Sequence, residues 1–92
     1  MVTVYGRVIG ARGEAVWNAT VVFRPVAGNG GFPKFGLSDG DGAFEVSGLE
    51  PGAYTVVVTQ RFYDVHTFLM YVTHDEYIEI SLVPDYEHPE IY

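Results

Sequence analysis

The sequence predicts an all-β chain: seven strands folded as an antiparallel two-sheet sandwich. Two observations carry that reading. Period-2 alternation and β-branched residues dominate, and no segment repeats its apolar residues with helical spacing. The runs are also separated by Gly-containing turns roughly every 8–12 residues, the cadence of a sandwich.

The first strand is expected over Val2–Ile9, with Val2, Val4 and Val8 facing the core. Gly10–Ala15 then turns into a second strand, Ala19–Val26, with Val21 and Phe23 inward. A Gly-rich loop, Ala27–Pro33, leads to a short third strand, Lys34–Leu37. Ser38-Asp39-Gly40-Asp41-Gly42 reads as a tight turn into a fourth strand, Ala43–Ser47. Asp39 and Asp41 suit Asx turns, and Gly40 and Gly42 supply positive φ. Gly48–Gly52 turns into a fifth strand, Ala53–Gln60, with Val56 and Val58 inward. The last strand, Tyr77–Val83, alternates Ile78, Ile80 and Leu82 with Tyr77, Glu79 and Ser81.

The sixth strand, near Phe62–Val72, departs from this pattern. Phe62, His66, Phe68 and Met70 occupy one parity and Tyr63, Val65, Leu69 and Tyr71 the other. A strand that is apolar on both faces needs both covered, one by the core and the other by the tail, a loop or another subunit. We therefore expect Tyr63, Val65, Leu69 and Tyr71 to form an interface. Beyond the 1–83 sandwich, the acidic, aromatic segment 84–92 is expected either to be a disordered terminus or to lie as an extended arm on a neighbour, in which case Tyr86, Ile91 and Tyr92 join that contact.

The chain has 92 residues, enough for one domain, and carries a net charge of −7. Its five basic residues, Arg7, Arg12, Arg24, Lys34 and Arg61, are scattered, which argues against a nucleic-acid partner or an anionic membrane. No apolar run reaches the roughly 20 residues of a membrane span, and the strand-like Met1–Tyr5 start lacks the pattern of an export signal. There is no cysteine, so neither a disulfide nor a thiolate metal site contributes.

Several segments together resemble a known family. Val4-Tyr5-Gly6-Arg7-Val8, Gly13-Glu14-Ala15-Val16 and Asn18-Ala19-Thr20-Val21 are similar to the opening of carboxypeptidase regulatory-like domains. Ser38–Phe44 and Leu49-Glu50-Pro51-Gly52-Ala53-Tyr54 match that family's middle signature. The resemblance implies a transthyretin-like sandwich and an accessory or structural role, with no particular chemistry. The aromatic sixth strand and the acidic tail depart from the family pattern.

No catalytic constellation is expected. Ser38, Ser47 and Ser81 lack a nucleophile motif, and the chain lacks the Tyr-Arg-Gly-Ser ending of the transthyretin-like hydrolase. A calcium loop starting at Asp39 fails at its fifth and sixth positions, Ala43 and Phe44. His66, His74 and His88 are too dispersed for a zinc site. Asn18-Ala19-Thr20 is a glycosylation sequon that the family pattern itself accounts for, and Lys34, the only lysine, is poorly placed for an isopeptide crosslink.

The expectation is thus a non-enzymatic structural or interaction module, without cofactor or metal, that packs against copies of itself or a host particle. A virion surface or tail component, or an extracellular filament subunit, suits it. The alternative is a carbohydrate-binding accessory module in which Trp17, Phe32 and Phe35, with Tyr5, stack on sugar rings.

Overall fold

A computed structural model of the chain describes residues 1–26 and 31–85. Seven strands form: β1 (Val2–Ile9), β2 (Thr20–Pro25), β3 (Lys34–Leu37), β4 (Ala43–Leu49), β5 (Gly52–Gln60), β6 (Tyr63–Val72) and β7 (Glu76–Ser81). They make a three-stranded sheet of order β4-β1-β7 and a four-stranded sheet of order β3-β2-β5-β6. The core between the sheets is built from alternate residues of each strand. Val4 and Val8 on β1, Val21 and Phe23 on β2, and Val56 and Val58 on β5 are all fully buried. Phe44, Val46, Leu49, Ile80 and Leu82 close it from the other sheet.

The two-sheet sandwich stands as expected, with one pairing that alternation does not encode. β1 and β7 run parallel, Gly6 opposite Ile78 and Val8 opposite Ile80. The first and last strands enter the same sheet in the same direction, and the chain between them crosses to the other sheet and back. The approach at Gly6 is tight: a Cβ there would overlap the backbone carbonyl of Ile78.

The turns are closed by their own side chains. Asp39 Oδ1 accepts the N–H of Asp41 and of Ala43, both at 2.9 Å, an Asx-type closure of the β3–β4 turn. Gly42 takes the positive φ (79°) that this turn needs, while Gly40 does not. Tyr54, buried, donates its hydroxyl to the Glu50 carbonyl at 2.7 Å and fixes the β4–β5 turn. Ser38 is 3% exposed; its Oγ accepts from Ala19 N at 2.8 Å and donates to the Val16 carbonyl at 2.7 Å. It ties the end of β3 to the β1–β2 connection.

On the far side, β6 is the edge of the four-stranded sheet. Its first residues receive a short addition from residues 83–85. Asp64 N donates to Val83 O at 2.8 Å, Asp85 N to Phe62 O at 3.0 Å, and Tyr63 bridges Pro84. The residues on either side of position 84 are thus tied to β6. Tyr86, Ile91 and Tyr92, expected at an interface, lie outside the described residues, as does His88.

Candidate functional site

The outer face of the four-stranded sheet is built by register. Leu37 lies opposite Thr20, and Phe35 opposite Val22. Val22 pairs with Val57 and Arg24 with Thr55 on β5. Beyond them Val57 meets Thr67, Thr55 meets Leu69, and Ala53 meets Tyr71 on β6. Side chains opposite one another share a face, so these rows form one surface across four strands. Phe35 is 64% exposed, Leu69 57% and Tyr71 69%, with Val22 and Val57 half-buried among them.

Arg24 is the only charged residue among those rows. The chain has 12 carboxylates, and none falls in them; Asp64 sits at the corner, beside the start of β6. Exposed apolar residues of this acidic chain are thus gathered on one sheet face whose rows hold no carboxylate.

The structure brings together part of what the sequence proposed and separates the rest. Val65, Leu69 and Tyr71 are exposed on β6. Tyr63 is displaced. The pairing of β5 with β6 shifts between Val58 and Gln60, so Gln60 faces Tyr63 while Val58 faces His66. That one-residue shift moves Tyr63 to the opposite face, where it packs half-buried against the core. Its hydroxyl donates to Glu14 Oε2 at 3.3 Å. Glu14's carboxyl is held below the usual carboxylate range, first by its own backbone N–H and that of Arg12.

Phe35, assigned from sequence to a ligand site, belongs to the same apolar face as Leu69 and Tyr71. Leu37, Val22 and Val57 were missed. The signal for Leu37 was present in the Lys34–Leu37 alternation, but only register shows that this strand borders the others.

The remaining ligand candidates do not converge. Trp17 is 63% exposed at the end of the sandwich where its carbonyl accepts from Gln60 Nε2 at 3.0 Å. Phe32 lies at the other end, in a cleft of about 170 Å³ shared with Met1, Pro25, Lys34 and Tyr54. Tyr54 and Gln60 are separated by six residues of β5, roughly 20 Å. Tyr5 is on the other sheet altogether, packed edge-on against Tyr77 at 5.7 Å.

Among the described residues no group of three or more His, Asp and Glu side chains gathers as a metal would need. His66 lies tilted against Phe68 with ring centroids 5.4 Å apart, and His74 pairs with the Thr73 hydroxyl at 2.9 Å.

The outer face of the three-stranded sheet is unlike its counterpart. Tyr5, Arg7, Glu45, Ser47, Tyr77 and Glu79 lie on it and engage one another. Tyr77 OH donates to Glu79 Oε2 at 3.1 Å, and Ser47 Oγ to Glu45 Oε2 at 3.1 Å. Arg7 holds the Asp41 carbonyl with Nε and Nη2, each at 3.2 Å. Tyr77's hydroxyl titrates above its ordinary value, chiefly through desolvation and then through Glu79.

Comparison with known proteins supports the fold and names the family. No curated protein matches the sequence. A solved type II cohesin–X–dockerin complex from Acetivibrio cellulolyticus is similar, at TM-score 0.75 and 21% identity, over 91% of this chain and 58% of that one. Hydroxyquinol 1,2-dioxygenase from Pseudomonas putida DLL-E4 matches at TM-score 0.75 and 13% identity, over 91% of this chain and 56% of that one. A DUF3823 family protein from Bacteroides ovatus matches at TM-score 0.69 and 23% identity, over 91% of this chain and 46% of that one. This chain therefore spans about half the length of these structures, and at such identities the likeness is one of fold. The carboxypeptidase regulatory-like domain family matches residues 3–82, and the chain belongs to that family.

Proposed function

We propose that this domain is a non-enzymatic interaction module that packs into a larger protein assembly through the outer face of its four-stranded sheet. The observation that carries the reading is the segregation on that face: Phe35, Leu37, Leu69 and Tyr71 exposed together, one cation, and no carboxylate in the rows of an acidic chain. Burying such a surface removes apolar area from water, while the acidic remainder opposes indiscriminate association. The complex from Acetivibrio cellulolyticus supports the reading by analogy, since its fold is used in an assembly of proteins. In its finer form the proposal makes the domain a repeating subunit, on a virion surface or in an extracellular filament.

Light-scattering mass across a concentration series tests it, on the full chain, on a Leu69→Glu/Tyr71→Glu variant, and on a chain ending at Val83. Mass that rises with concentration in the full chain and not in the face variant supports the reading. A rise that both share places the contact elsewhere. Loss on truncation alone would assign the contact to residues 84–92 instead of the sheet.

A further inference from the structure

We propose that β6 is an open pairing edge, and that a second copy of this chain adds its own β6 there in antiparallel orientation, joining two four-stranded sheets into one of eight strands. This rests on the interaction reading and names the partner for one border of the same sheet.

The four sheet edges are not equally protected. β3 is four residues long, follows Pro33 and starts with Lys34. It packs so closely on β4 that a Cβ on Gly36 would collide with the Glu45 carbonyl oxygen, so the edges of β3 and β4 close each other. β7 is six residues long and carries Glu76 and Glu79. These are the devices that keep edges from pairing: shortness, proline, lysine and charge.

β6 is ten residues long, and between Val65 and Val72 it holds no proline, lysine, arginine or carboxylate. Among the described residues only its start is covered. Pro84 stands opposite Tyr63, and Asp85 bonds to Phe62, so the added segment progresses away from Val65. Backbone groups of an edge strand that lack a neighbour are a template for another strand.

The open stretch suits a copy of itself. In an antiparallel pair centred near Phe68, the exposed Val65 and Tyr71 side chains of one copy meet Tyr71 and Val65 of the other, and no like charges oppose. Two chains of net charge −7 thus meet along a line without carboxylates. Eight residues span about 27 Å of edge. The buried area falls in the class below about 1,200 Å² in total, the class of weak, transient contacts. Added salt tightens the dimer by screening the net repulsion.

The test combines sedimentation equilibrium with amide hydrogen exchange read by NMR on the full chain. Dimer is expected, together with slowed exchange at alternate amides of 65–72 as concentration rises. Thr67→Lys, at an exposed edge position, is expected to weaken dimerisation at least tenfold, and Phe35→Ser, on the far border of the same face, to leave it unchanged. A monomer at all concentrations overturns the proposal while leaving the face free for a different partner. A dimer that leaves 65–72 unprotected, or that Phe35→Ser abolishes, overturns edge pairing and retains the face as the contact.

Discussion

The two outer faces of the sandwich have the same strand geometry and opposite chemistry. On the three-stranded sheet, Arg7, Glu45, Ser47, Tyr77 and Glu79 hold one another or nearby backbone. On the four-stranded sheet, the corresponding outward rows carry Phe35, Leu37, Val22, Val57, Leu69 and Tyr71 among the threonines Thr20, Thr55 and Thr67, with Arg24 the one charge. A sheet packed on only one side normally alternates apolar inside with polar outside. The first face obeys that rule; the second departs from it at Phe35, Leu69 and Tyr71, the departure on which the proposed contact rests.

The comparison breaks most severely if the polar sheet is lost. Gly6→Ala places a methyl group on the Ile78 carbonyl where β1 and β7 run side by side. The strands must separate, and a cost on the order of 4 kcal/mol or outright failure to fold is expected in urea denaturation. If the variant loses less than about 1 kcal/mol, the close approach at this pair is not what holds β7 in the sheet.

Next in size is Ser38→Ala. Ser38 anchors the end of β3, and so places Leu37 at the border of the apolar face. Its removal leaves the Ala19 N–H and the Val16 carbonyl buried without this partner, at about 2–3 kcal/mol. Thermal denaturation measures the loss. A Ser38→Thr substitution that keeps the hydroxyl and restores most of the stability would assign the cost to the hydrogen bonds.

The third prediction separates folding from function. Leu69→Glu should change stability by no more than about 0.5 kcal/mol, because Leu69 is 57% exposed and meets only Thr55 across the strand pair. Yet it should abolish concentration-dependent association in light scattering. Glu79→Gln on the other face should leave association intact. If Leu69→Glu unfolds the domain, the apolar face is part of the core and the distinction between the two faces falls.

Much of this fold could be read directly from the residues. Val2–Ile9 and Lys34–Leu37 occupy the segments expected of them, because alternation and flanking turns mark strands locally. What alternation cannot encode is which strand lies beside which. The parallel union of β1 with β7 joins residues some 70 positions apart, and nothing in either segment specifies direction. The same limit divided the candidate site. Phe35 and Leu69 belong to one surface only because β2 and β5 lie between them. Tyr63 shares the parity of Leu69 in sequence, but the shift opposite Val58 and Gln60 reverses its face, and a shift of one residue leaves no compositional trace.

That shift also sets the smallest expected effect. Tyr63, turned inward, reaches Glu14, whose carboxyl is held below its usual range mainly by its own and Arg12's backbone N–H groups. A carboxylate with a depressed folded pKa adds stability above its unfolded value near 4.5, and that stability is lost as pH falls through the folded value. Glu14 is exposed to solvent, so the contribution is screened and small. Glu14→Gln should therefore lower the melting temperature slightly at pH 7 and not at all near pH 2, and Tyr63→Phe should reproduce only a fraction of that loss. An equal loss at both pH values would show that the effect does not come from the charge of the carboxylate that lies over Gly10. In that case the bulge would position Tyr63 for the core alone, and the two faces would differ solely in what they present to a partner.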